Sequence, residues 1–198
     1  MTDHFALLNE PRRPWLEPEE LKQKFLVRSA TVHPDRSHHL SHAEREQAQQ
    51  RYTELNAAYN CLRNPRNRLR HLLELERGSP PADIQQIPQD LMNVFMEVSQ
   101  LCRQADVFLG EKRRVSSPLI KVQLFERGNE WTEKLQHLQN RVNARRESLI
   151  AEMKTMDAAW SQAANTILLE RLENLYRLFS YFDRWLAQIQ ERLTQLLF

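Results

Sequence analysis

Three consecutive residues concentrate the chemistry of this 198-residue chain: His33, Pro34 and Asp35. An imidazole and a carboxylate stand two positions apart, separated by a ring that fixes φ and stiffens the backbone. A carboxylate held in that way can take a charge-assisted hydrogen bond from a cationic partner. No Gly-rich phosphate loop, nucleophile elbow or well-placed pair of carboxylates accompanies the tripeptide, so an enzyme is the least favoured class. His38, His39 and His42 follow closely, and His38 and His42 have the spacing of a metal pair. No Cys or acid lies near enough to complete a familiar site, and a solvated loop is the favoured assignment. Cys61 and Cys102 form no CxxC pair and read as buried thiols in a reducing compartment. No metal and no cofactor is expected.

Two helices must hold the tripeptide. One starts near Glu17-Pro18, where proline suits a first turn, and runs to about Val32 with Leu21, Phe25, Ser29 and Val32 on its inner face. The next starts near Ser41 or His42 and carries an inner stripe of Tyr52, Leu55, Tyr59 and Leu62. A short helix from about Asp3 to Asn9 precedes them, with Asp3 as a candidate N-cap. Asn64-Pro65 breaks the chain before a last helix over Arg66 to Glu76.

Composition extends the helical reading to the whole chain. Gly occurs 3 times and Leu 29 times, against 14 for Val and Ile together. Sheets favour β-branched residues and need Gly in their turns. The expected fold class is therefore all-α. Residues 77–88, RGSPPADIQQIP, stop a helix and resist restarting one. They divide an N-terminal domain, 1–76, from a C-terminal one, 89–198. The latter reads as three antiparallel helices, with a break between Gly110 and Pro118. Its last helix alternates steps of four and three from Leu168 through Leu175, Phe182 and Ile189 to Leu196. That seam belongs to a coiled-coil-like bundle, or alternatively to a self-associating coiled coil.

At this point the chain resembles the J-domain family of co-chaperones. The likeness rests on Phe5 and Leu8, Leu21 and Phe25, His33-Pro34-Asp35, and the run Leu55-Asn56-x-Ala58-Tyr59-x-x-Leu62-x-x-Pro65-x-x-Arg68. Leu72-Leu73-x-Leu75 followed by Gly78, together with the total length, resembles the HscB/Jac type. The resemblance implies a J-domain joined to a three-helix bundle. It also implies stimulation of ATP hydrolysis in a DnaK/HscA-class chaperone, and delivery of an IscU-type iron–sulfur scaffold protein. The docking residues it implies are His33, Pro34, Asp35 and Arg36, with Lys22, Lys24 and Arg28 as a basic face that steers an acidic partner. Three positions depart from the family pattern. Arg36 stands where Lys is common, Thr31 where a basic residue is common, and Arg28 where an apolar core residue is common.

The client side implied by the resemblance is a patch at the start of the first C-terminal helix, carried over as Leu91, Met92, Phe95 and Glu97; Asn93 stands where the family has an acid, and Phe95-Met96-Glu97-Val98 is the alternative matching segment. Ordinary helix packing is the alternative use of that patch. Leu175-Tyr176-Arg177 resembles the LYR tripeptide of some iron–sulfur client proteins, yet Leu175 already belongs to the apolar seam. Trp131, Trp160 and Trp185 read as core or core-rim residues. Two other functional classes remain: a J-domain protein with a different client or a tethering role, and a structural adaptor with a coincidental tripeptide.

Charge and hydropathy bound the partners. The net charge is +2, from 28 basic and 26 acidic residues. Residues 1–78 hold the excess and residues 79–198 are balanced. Neither part has the basic surplus of a nucleic-acid binder. No apolar run approaches the roughly 20 residues of a membrane span. The acidic start, MTDHFALLNEP, argues against an export signal, and the expected location is the bacterial cytoplasm.

Overall fold

A computed structural model describes residues 2–33, 41–82, 87–115, 117–160 and 166–197. Pro34, Asp35 and Arg36 of the tripeptide corner, and His38 and His39, lie outside the described residues. The described residues form seven α-helices and one 3₁₀ turn, Gln89–Leu91, with no strand among them. The helices are α1 (His4–Leu8), α2 (Pro18–Thr31), α3 (His42–Arg63), α4 (Pro65–Arg77), α5 (Met92–Arg114), α6 (Pro118–Trp160) and α7 (Thr166–Leu197).

Local chemistry sets the helix ends. Asp3 caps α1 by accepting from the Phe5 and Ala6 amides, and Asn9 closes it at φ 55°. Pro18 and Pro65 occupy first turns, where a missing N–H costs nothing. Ser41 opens α3 with a full capping box: its hydroxyl accepts from the Glu44 amide while Glu44 accepts from the Ser41 amide. Asn64 ends α3 and caps α4, accepting from the Asn67 amide. Gly78 stops α4 at φ 72°, a conformation that costs glycine nothing.

The chain packs as two compact units: Met1–Ala82 with Ile150–Tyr176, and Asp83–Leu149 with Arg177–Phe198. In the first unit α1, α2 and α4 each contact α3. Phe5, Leu8, Leu21, Leu62, Leu69 and Leu72 are fully buried. Two ring pairs fix the direction of the α2–α3 hairpin. Phe25 stacks on Tyr59 at 4.4 Å, and His33 meets Tyr52 edge-on at 5.4 Å. Residue numbers rise along one helix as they fall along the other, so α2 and α3 run antiparallel.

The segment 150–176, read above with the C-terminal helices, belongs to this first unit. Its Met153, Met156, Asp157, Trp160 and Leu172 are buried. Asp157 accepts from the Arg13 guanidinium through both carboxylate oxygens and from the Trp15 amide at 3.0 Å. Trp160 donates its indole N–H to the Arg12 carbonyl at 2.9 Å. Arg68 is buried on α4: it donates to the Pro14 and Leu62 carbonyls, each at 2.7 Å, and lies over the Trp15 ring. Burial lowers the Arg68 pKa to about 10, so it stays cationic at neutral pH.

The second unit is an up–down–up bundle. Glu97 pairs with Arg141 and Glu111 with Arg127, so α5 and α6 are antiparallel. Asp106 pairs with Arg192 and Lys112 reaches the Leu196 carbonyl, so α5 and α7 are parallel. Its core takes Val98, Cys102 and Phe108 from α5, Leu135, Leu138 and Val142 from α6, and Phe182, Trp185 and Ile189 from α7. The seam of α7 is buried at every expected position except Leu186, which is half-buried.

Candidate docking site

The described residues on either side of positions 34–40 are fixed by a ring contact at His33 and by a cap at Ser41. His33 is half-buried against Tyr52, so its imidazole is braced by α3. The Ser41–Glu44 box anchors the chain where α3 resumes. Glu44 is held below the usual carboxylate range by its hydrogen bonds with Ser41, and it therefore remains an anion that suits the positive end of α3.

The basic residues of α2 do not share one role. Lys22 is exposed and only loosely associated with Glu19, at 3.9 Å. Lys24 is half-buried: its ammonium lies 3.0 Å from a buried Glu10 carboxylate and donates to the Asn9 carbonyl at 3.4 Å. It ties α2 to the segment after α1. Arg28 is half-buried beside a depression of about 390 Å³ that Asp3, Leu7, Thr31 and Arg51 also line. Between these cations, Leu26 and Val27 are exposed apolar side chains on the same helix. The tether from Lys24 to Glu10 and the braces from Tyr52 and Tyr59 were not identified from sequence. The tyrosines were legible as an inner stripe, but their pairing with His33 and Phe25 was not.

The second set of sequence-derived residues divides at the start of α5. Leu91 is 4% exposed and belongs to the bundle core, because the 3₁₀ turn over Gln89–Leu91 rotates it inward. Phe95 is half-buried, with its ring centroid 6.5 Å from that of Trp185. Met92 and Met96 point outward, 40% and 60% exposed. Glu97 is held by a two-pronged pair with Arg141 at 2.6 and 2.9 Å. The outward surface here is thus Met92, Phe95 and Met96 with the Glu97–Arg141 pair at its edge; Met96 belongs to the alternative matching segment and not to the four residues carried over. Leu175 and Tyr176 are buried, which leaves only Arg177 of that tripeptide exposed. Trp160 and Trp185 are buried and Trp131 is half-buried. Among the described residues no group of three His, Cys, Asp or Glu could hold a metal ion, and no helix is long and apolar enough to cross a membrane.

Comparison with known structures decides the architecture. HscB from Vibrio cholerae superposes with a TM-score of 0.66 at 18% identity, covering 96% of each chain. This is the HscB fold. Human co-chaperone HscB gives a TM-score of 0.63, also at 18% identity, over 98% of this chain and 81% of that one. HscB likeness also extends to sequence. The HscB co-chaperone homologue of Bordetella pertussis is 44% identical over 72 residues, 36% of this chain. That stretch spans 42% of the relative's length, less than two-thirds of it. No family model matches the chain. The resemblance to HscB-type J-domain co-chaperones, first met in short motifs, therefore holds for the all-helical fold and for a stretch of sequence.

Proposed function

We propose that the chain is a J-domain co-chaperone. It stimulates ATP hydrolysis in a DnaK/HscA-class chaperone through His33, Pro34, Asp35 and Arg36, and it delivers an IscU-type scaffold protein during iron–sulfur cluster assembly. The observation that carries this proposal is the antiparallel pairing of α2 and α3, braced by Phe25–Tyr59 and His33–Tyr52, and in sequence the tripeptide falls between these two helices. Asp35 would bond a chaperone arginine. Lys22 and Arg28 would steer an acidic partner surface, raising the association rate more than the affinity. Lys24, already neutralised by Glu10, would contribute less. The chain itself makes and breaks no covalent bond in this scheme; the partner carries the chemistry.

A single-turnover ATPase assay with a DnaK/HscA-class chaperone tests the first half. His33→Gln and Asp35→Asn should each abolish stimulation while leaving the circular-dichroism spectrum unchanged. Full stimulation by both variants would end the proposal. Lys22→Ala should slow association at low salt and matter little at high salt.

The client half rests on the outward surface of α5. Met92→Ser with Met96→Ser should weaken capture of a purified IscU-type protein by at least tenfold, with ATPase stimulation by free co-chaperone unaltered. Unchanged capture would transfer the client to another surface. Leu91 is unsuitable for that test, because its loss would open a cavity in the bundle core.

A further inference from the structure

The second unit carries a groove where α5 ends and α6 begins, and no residue of the proposed docking or client surfaces lines it. Its volume is about 880 Å³, within the range of natural ligand sites. Leu109, Leu124 and Leu196 are buried residues that line it, and Phe125 and Leu197 line its exposed part. Phe125 is 69% exposed and Leu197 is 76% exposed. Val122, 63% exposed, precedes Phe125 by one turn of α6, and Leu119, 74% exposed, precedes Val122 by another. From Leu119 to Phe125 is a rise of about 9 Å along the helix. Exposed Phe125 and Leu197 at the mouth of an open groove, with Val122 and Leu119 continuing the apolar surface outside it, fit a helix laid across it better than an enclosed small molecule.

Charge narrows the occupant. Lys112 donates to the Leu196 carbonyl at 2.9 Å and Arg113 to the side-chain oxygen of Gln195 at 3.0 Å. Both acceptors are neutral, and neither cation meets a carboxylate among the described residues. Arg114 follows directly. The groove thus has Leu124, Phe125 and Gly128 on its α6 side, with Asn129 and Thr132 beyond them, and the cations Lys112 and Arg113 on its α5 side. Two copies of this chain meeting face to face would bring these cations together, which disfavours a symmetric dimer.

We propose that this groove binds an amphipathic helix of a partner protein, with aliphatic anchors against Leu124 and Phe125 and with Asp or Glu side chains facing Lys112 and Arg113. The proposal is independent of the chaperone function above.

The test is fluorescence anisotropy with the full chain and two labelled 18-residue peptides. Both carry Leu at helical spacing of three and four, one with Glu and the other with Lys on the flanks. The acidic peptide should bind at least tenfold more tightly than the basic one at 50 mM salt. Phe125→Ser should weaken it at least tenfold. Arg113→Glu should reverse the preference between the peptides, an outcome that misfolding cannot produce. Equal binding of both peptides, no binding of either, or binding indifferent to Phe125→Ser would overturn the proposal. So would a Phe125-dependent dimer in sedimentation, which would assign the strip to a second copy.

Discussion

At the scale of single residues, two histidines make the first unit sensitive to acid. His71 is buried, and its Nε2 accepts from the His4 amide at 3.1 Å, so that nitrogen must carry no proton. The two rings lie 4.4 Å apart, and Phe5 stacks on His71. Burial pulls the His71 pKa below its ordinary 6.5, and the positive charge of a protonated His4 pulls it further; Asp3 and Glu74 oppose this, and Arg12 assists it. Burial lowers His4 as well, against Asp3 and Glu74. Because both folded values lie below the unfolded one, the stabilisation is complete above 6.5 and is lost as pH falls through the folded values. The thermal midpoint should therefore drop between pH 7.5 and 5.0, and the drop should be smaller in His71→Gln. Parallel pH profiles for the two proteins would refute this account. The sequence marked neither histidine: the partners are 67 positions apart, and no local pattern announces such a contact.

At the scale of elements, the helix ends were the most legible part of the chain. Asp3, Pro18, Ser41, Asn64 and Gly78 each act through atoms within a few residues, so type and order suffice to predict them. Ser41 matters most, because it fixes where α3 resumes after the tripeptide corner. Ser41→Ala removes the hydroxyl acceptor of the capping box and should cost about 1 kcal/mol. It should also speed amide exchange over the first turn of α3 while leaving α4 unaffected. Exchange rates in α3 equal to those of the parent would show that the cap is idle. Lys24 illustrates what the element pattern misses. On a helical wheel it belongs to the wet basic face, yet a buried carboxylate from the preceding segment captures it.

At the scale of the whole molecule, the first unit is completed by residues far along the chain. The segment 150–176 brings Asp157 to Arg13 and Trp15, Met153 to Arg68, and Glu173 to Arg77. A fragment ending at residue 82 lacks all of these and exposes the apolar surface that Met156, Trp160 and Leu172 cover. Losing that burial should cost several kcal/mol, on the order of 25 cal/mol per Å² of apolar surface exposed. About 1 kcal/mol corresponds to 4–8 °C in a domain of this size. The isolated fragment should therefore unfold at least 10 °C below the corresponding transition of the full chain. Equal midpoints in calorimetry would mean that residues 150–176 are dispensable to the unit.

The amino-acid order alone determined the helical class, the caps, the apolar stripes and the identity of the corner residues, because each depends on propensity or on spacing along one helix. It also carried the resemblance that the comparisons bear out in fold. Only the tertiary structure decided which face of a stripe meets what. It turned Leu91 inward while leaving Met96 outside, neutralised Lys24, and grouped residues 150–176 with the first eighty-two. Periodicity states which side chains share a surface. Burial and pairing depend on what another element presents to that surface, and that element is supplied by residues too distant in sequence for any local pattern to specify.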